Sequence, residues 1–161
     1  MLLSLAYVLP FLTGQIPEIG KMLCPMHLPV MLCGFICGWP CGAAIGFLAP
    51  LMRSLTLSVP PIYPKGICMA LELMTYGLMC GIFDKILPKK RGFIYVTLLI
   101  SMVCGRLVWG AARFVCTGLD VTKFGLSTFM ADGVIGAIPG IIAQIVLVPV
   151  AVMLINKKEY R

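Results

Sequence analysis

The sequence has few charged residues for its length. Of its 161 residues only 12% are charged and 60% are apolar, and the mean hydropathy is +1.03. An ordinary soluble domain carries about 25% charged residues, and a chain of this size has too much surface to hide so many apolar side chains from water. The scarcity of charge therefore excludes a soluble protein and predicts an integral membrane protein.

Several motifs of catalysis and of ATP hydrolysis are also absent. The sequence has no GxxxxGK[ST] loop, so the chain does not energise transport by itself. It has no HExxH motif, and its only histidine, His27, leaves no plausible Ser–His nucleophile pair. The two halves of the chain lack the matched, broken helices of an inverted-repeat carrier. We therefore expect no enzyme, no cofactor and no catalytic residues.

The eight cysteines show no disulfide or metal-ligand spacing. Cys33, Cys37 and Cys41 recur at helical spacing, and a soft-metal site is one interpretation of them. The alternative, which we favour, is that they are small apolar residues that allow close helix packing. No metal site is predicted.

The net charge of +7 follows a pattern typical of membrane topology rather than of nucleic-acid binding. Lys and Arg accumulate in short cytoplasmic loops of membrane proteins. The basic residues form one loop cluster and one C-terminal cluster, namely Lys85, Lys89, Lys90 and Arg91, and Lys157, Lys158 and Arg161. We therefore expect a multi-pass membrane protein whose two termini are both cytoplasmic if it has six spans, and no nucleic-acid partner.

Apolar segments separated by Gly- and Pro-rich turns predict an all-α bundle of six transmembrane helices in a single membrane domain, residues 1–161. A span needs about 20 apolar residues, so this length allows roughly six spans with short loops. The start, MLLSLAYVLPFL, has no charged n-region and no clear cleavage site, so no signal peptide is expected. The predicted helices cover residues 2–12, 26–39, 42–54, 66–87, 92–118 and 128–156.

Glycine recurs at every fourth position across the second and third predicted helices, at Gly34, Gly38, Gly42 and Gly46. Such strips let helix backbones approach closely, which is how membrane helices associate without a hydrophobic driving force. The strip predicts either tight packing inside this chain or a surface that docks on another membrane protein. The spacing leaves both alternatives open.

Ionisable residues inside the predicted helices are expensive to place in a membrane and usually face a cavity or a partner. With a rise of 1.5 Å per residue, Glu72 lies roughly 9 Å from the outer end of its helix. Arg106 and Arg113 share a face with Trp109 and lie roughly 18 and 8 Å from the outer end of theirs. Asp132 is near the outer end of the last helix. These residues predict a pocket that opens outward, although ion pairs that only hold the bundle together would use the same residue types.

Four further residues extend this candidate pocket. Tyr76 lies one turn below Glu72, and Tyr63, Gln15 and His27 lie in or beside the outer loops. Aromatic faces with a few aimed polar groups suit a small organic ligand. For His27 taken alone, a position at the membrane interface is the simpler interpretation.

The ordered motifs of the chain resemble a known family, the substrate-binding S components of energy-coupling factor (ECF) transporters. The resemblance begins at MHLPVMLCGFICGWPCGAAIGFLAPLMRSLTLSVPPIYP, which opens with His27 to Val30, and continues at MALELMTYGLMCGIF. CGRLVWG and AIPGIIAQ extend it over nearly the whole chain. The resemblance depends on the ordered set of motifs rather than on any one of them.

This resemblance implies a six-helix vitamin-binding subunit that works with a transmembrane coupling subunit and two ATPase subunits. It also implies that the ligand binds near the outer face, against helices four to six. Helices one to three would then contact the coupling subunit. The glycine strip then gains a docking role. An AxxxA motif is usual on helix one, but only Ala6 is present here. This departure puts the contribution of helix one in doubt and hints at a start that lacks native residues.

The identity of the ligand does not follow from the resemblance. Arg106 and Arg113 would suit a carboxylate, so an acid such as pantothenate is the ligand that these two residues favour. Two other functions remain as alternatives, a standalone secondary carrier of a small organic solute and a membrane assembly subunit that binds no ligand.

Overall fold

The computed structural model describes residues 1–12, 26–57, 61–117, 131, 135 and 138–155. Within these residues it has six α-helices and no strand, so the all-α prediction is confirmed. The helices are α1 (Leu2–Leu12), α2 (His27–Cys37), α3 (Trp39–Leu57), α4 (Ile67–Ile86), α5 (Arg91–Cys116) and α6 (Ile138–Ile155). A π-helical turn, Ile62–Gly66, leads into α4.

The break between α2 and α3 lies at Gly38, which is earlier than predicted. Gly38 has a φ of 85°, in the left-handed region that glycine adopts without steric cost. Because α3 already begins at Trp39, Pro40 is in its first turn, where the missing N–H of proline removes no helical hydrogen bond. The predicted helix start at residue 42 was therefore wrong. The predicted start of the last helix, at 128, lies outside the described residues.

The central helix of the bundle is α4, which packs against α2, α3 and α5. The first helix packs on α2 and α3, while α6 packs on α2 and α5. The interior is apolar, and its fully buried large side chains include Met31, Leu73, Tyr76, Leu98 and Val148. Residues on α4 therefore meet side chains from three other helices.

Three of the described helices are long and apolar enough to cross a membrane, by length and composition. They are α4, α5 and α6, with 20, 26 and 18 residues. The α2 helix is apolar but has only 11 residues. The prediction of a membrane protein agrees with these helices, while the six-span topology and the orientation of the termini stay predictions.

The glycine strip is packed inside the bundle. A methyl group added at Gly34 or Gly42 would lie 2.6 Å from the Gly77 carbonyl oxygen, and one at Gly46 would meet the backbone at Leu73. All three are buried, as is Ala6. The structure thus supports internal packing for these four residues, and an exposed docking strip made of them does not exist in this conformation. Gly38 is partly exposed, and docking itself stays a prediction.

Candidate functional site

The polar centre of the bundle is the carboxylate of Glu72, whose side chain is 3% exposed. Its Oε1 atom lies 3.0 Å from a terminal guanidinium nitrogen of Arg106. The Tyr76 hydroxyl donates a hydrogen bond to the same oxygen at 2.9 Å. The Nε2 atom of His27 lies 3.6 Å from it. We call these four residues the Glu72 cluster.

Three helices position the Glu72 cluster. Glu72 and Tyr76 are four residues apart on α4, a spacing that puts them on one face of the helix. Arg106 comes from the middle of α5, and His27 is the first residue of α2. The cluster therefore depends on tertiary packing, since α2, α4 and α5 must all be in place.

The Tyr76 ring packs against α5 at Gly105, where the absence of a side chain leaves room for it. A methyl group at this position of α5 would overlap the Tyr76 ring carbons. The absence of a side chain lets the ring lie flush against α5, next to Arg106. Sequence reasoning missed this role because a single glycine inside an apolar helix carries no signal of what packs on it.

His27 is the least satisfied member of the cluster. Its side chain is 3% exposed, and neither ring nitrogen has a hydrogen-bond partner within the part of the chain that the structure describes. Its ring lies 5.1 Å from the Tyr76 ring, tilted by 56°. The imidazole is buried in the bundle, while the position of His27 at the membrane interface stays a prediction. Buried polar groups are nearly always hydrogen-bonded, so an unpaired imidazole beside a carboxylate is unusual.

The charges of Glu72 and Arg106 compensate each other. A charge inside a membrane protein needs a partner, and a pair at 3.0 Å supplies one. Arg106 is 17% exposed, so the pair is not fully enclosed. The guanidinium that was expected to meet a ligand carboxylate already holds a carboxylate of the protein.

The remaining predicted site residues are on α5, in the turn before α4, or outside the described residues. Trp109 and Arg113 follow Arg106 on α5 and are partly buried. Tyr63 is 64% exposed, and its hydroxyl donates a hydrogen bond to the Cys116 carbonyl at 2.8 Å. Gln15 and Asp132 lie outside the described residues.

A metal site has no support from the described residues. No three His, Cys, Asp or Glu side chains among them are arranged to hold a metal ion. Cys33 is buried, whereas Cys37 and Cys41 are exposed. Cys33 is thus placed for close helix packing, whereas the exposed Cys37 and Cys41 are not.

Comparison with protein families identifies the chain at the family level. The model of the family described as "ECF transporter, substrate-specific component" matches residues 1–155. No curated protein and no solved structure matched the chain. The family match covers every described helix, including the three that form the Glu72 cluster. The chain therefore belongs to the family of substrate-specific components of ECF transporters.

Proposed function

We propose that this chain captures a small water-soluble vitamin or vitamin precursor at the outer face of the membrane through the Glu72 cluster. The observation that carries the proposal is the buried imidazole of His27, which lies 3.6 Å from Glu72 and has no hydrogen-bond partner among the described residues. Leaving a buried polar group unsatisfied costs about 1–3 kcal/mol. A ligand that hydrogen-bonds to His27 would remove that cost, which favours the bound state. The family's general role in vitamin uptake supports the same function.

The polar groups of the cluster favour a ligand with both donor and acceptor groups. A neutral imidazole offers one donor and one acceptor nitrogen, and the Glu72 carboxylate is an acceptor. The pairing of Arg106 with Glu72 weakens the case for an acid such as pantothenate, because Arg106 is one of the two arginines on which that case depended. A polar heterocycle would fit the cluster better than a simple carboxylate.

Delivery of the ligand inward requires partners in this proposal. A transmembrane coupling subunit and two ATPase subunits would supply the energy, since the sequence has no GxxxxGK[ST] motif. The coupling subunit would contact the outer faces of α1 to α3, where Val8, Phe47, Leu48 and Met52 are exposed. Trp109, Arg113, Tyr63, Gln15 and Asp132 stay candidates for additional ligand contacts.

The first test is to identify what the purified protein carries. The chain is purified in detergent and denatured, and the released small molecules are identified by mass spectrometry. A vitamin-like molecule at near-equal stoichiometry is expected. A preparation without any such molecule, and with no thermal stabilisation by a panel of water-soluble vitamins, would contradict the proposal, because a ligand that binds only the native state must stabilise it.

A substitution of His27 separates ligand binding from stability. In His27→Leu the unsatisfied imidazole is replaced by an apolar side chain, so the ligand-free protein is expected to gain about 1 kcal/mol. Thermal stabilisation by the ligand is expected to disappear in the same variant. Thermal unfolding with and without ligand measures both effects. Retained ligand stabilisation in His27→Leu would remove His27 from the site.

A further inference from the structure

Two cysteines from different helices meet at one end of the bundle. The Sγ atoms of Cys68 and Cys116 lie 3.8 Å apart. Cys68 is the second residue of α4 and Cys116 is the last residue of α5. Because α4 and α5 are antiparallel and joined through residues 87–90, this contact is at the end opposite that basic loop. Cys68 is buried, while Cys116 is partly exposed.

We propose that Cys68 and Cys116 form an oxidisable dithiol that becomes an intramolecular disulfide by thiol–disulfide exchange. The partly exposed Cys116, as its thiolate, attacks a sulfur of a small disulfide and releases one thiol. Cys68 then attacks the Cys116 sulfur, the bond from Cys116 to the small thiol breaks, and the departing thiolate takes up the Cys68 proton and leaves as the second thiol. The protein loses two hydrogens, and the oxidant is reduced to two thiols.

The geometry requires only a small movement of the two sulfur atoms. A disulfide bond is about 2.05 Å long, so the sulfurs at 3.8 Å must approach by roughly 1.8 Å. Both residues lie at helix ends, where rotation of the side chains and small shifts of the last turn supply this distance. The hydrogen bond from Tyr63 to the Cys116 carbonyl holds the end of α5 beside the turn that leads into α4.

The disulfide would act on the Glu72 cluster through the spacing of α4 and α5. Cys68 is four residues before Glu72, about 6 Å along the same face of α4. The cross-link joins the helix that carries Glu72 to the helix that carries Arg106, so it restricts their separation and slows ligand exchange. This effect rests on the proposed function. In the proposed orientation, this end of the bundle faces outside, where disulfides persist.

The experiment uses the full chain in detergent and oxidised glutathione as the small disulfide. After incubation, free thiols are alkylated and the digested protein is analysed by mass spectrometry without reduction. A peptide pair joined through Cys68 and Cys116, lighter by two hydrogens, is expected in the wild type. The pair is expected in the control Cys104→Ser, because Cys104 is a partly exposed cysteine on the same helix, and is expected to be lost in Cys116→Ser.

The wild-type digest decides the proposal even if a variant fails to fold. A glutathione adduct that persists on Cys116 without a cross-link would overturn it, and so would a cross-link that joins Cys68 or Cys116 only to other cysteines. Ligand release is then timed in the oxidised and reduced protein, with several-fold slower release expected after oxidation. Equal rates would overturn the effect on exchange. Absence of any ligand would count against the proposed function and leave the cross-link result intact.

Discussion

The two sides of α4 contact the neighbouring helices in different ways, one through backbone atoms and the other through polar side chains. One side carries Gly77 and Gly81, whose backbone lies directly against the backbones of α2 and α3. The other side carries Glu72 and Tyr76, whose side chains meet those of α2 and α5. Contact through backbone leaves no space for an added methyl group at these glycines. Contact through side chains leaves one imidazole, that of His27, with unused hydrogen-bonding capacity.

This difference separates the packing of the bundle from the binding of a ligand. Glycine contacts fix the distance between α4 and its neighbours α2 and α3, because backbone atoms cannot move aside in the way that a flexible side chain can. This fixed spacing of the helices holds the side chains of the Glu72 cluster in position. Substitutions on the glycine side should therefore affect folding, whereas those in the cluster should affect ligand binding more than folding.

The largest effect is expected from Gly42→Ala. Its methyl group would lie 2.6 Å from the Gly77 carbonyl oxygen and 2.9 Å from the Gly34 Cα atom. Because both neighbours are backbone, the helices must separate, and the expected loss of unfolding free energy is about 3 kcal/mol. Thermal unfolding in detergent measures the loss.

The matched control is Gly92→Ala, the same substitution at a glycine that has no atom within 4 Å of an added methyl group. It is expected to leave stability unchanged or to raise it by up to about 1 kcal/mol, since alanine is the better helix former. Equal melting temperatures for the two variants would show that the glycine side of α4 does not fix the bundle.

Substitutions of Glu72 and Arg106 test whether the cluster is more than a structural ion pair. Arg106→Gln leaves the carboxylate buried without its cation, and a loss of about 2 kcal/mol is expected. Glu72→Gln should cost less, because the guanidinium that remains is 17% exposed. The double variant should recover most of the stability, since no uncompensated charge remains, but it should not recover ligand binding. Thermal unfolding and ligand titration measure the two properties separately.

Recovery of both properties in the double variant would assign the pair to structure alone. A conservative control is Arg106→Lys, which keeps the charge but loses the forked geometry of the guanidinium. It is expected to retain most of the stability and to bind ligand more weakly.

The sequence predicts individual residues of the cluster better than their contacts. The sequence identifies Glu72 and Arg106 as site candidates because a charged side chain inside an apolar helix is costly in a membrane and usually has a partner or a ligand. Their positions along the helices give their depths in the membrane. Depth does not tell towards which neighbouring helix each side chain points. For this reason the 3.0 Å contact between them, and the exposure of Tyr63 at the bundle end, follow only from the three-dimensional packing.

The helix ends and helix contacts also show that local sequence signals predict some features of the fold and not others. The apolar segments predicted α1 at residues 2–12, as observed, because apolar residues and turns are local signals. The glycine spacing predicted a close contact correctly but could not name its partner, since any helix can pack on a smooth strip. The break between α2 and α3 lies at Gly38, earlier than the sequence predicted. The prediction was too late because Pro40 was interpreted as a helix breaker, although a proline in the first turn of a helix removes no hydrogen bond.

The smallest effect is expected from Tyr76→Phe, which removes only the hydroxyl that donates to Glu72 at 2.9 Å. The ring still fills the space at Gly105, so the expected loss of stability is about 1 kcal/mol, the net value of one hydrogen bond. Ligand binding should weaken modestly, because the Glu72 oxygen loses one of the donors that orient it. Tyr95→Phe, at an exposed position of α5, should change neither property. If Tyr76→Phe instead abolished binding at unchanged stability, the hydroxyl itself would have to contact the ligand.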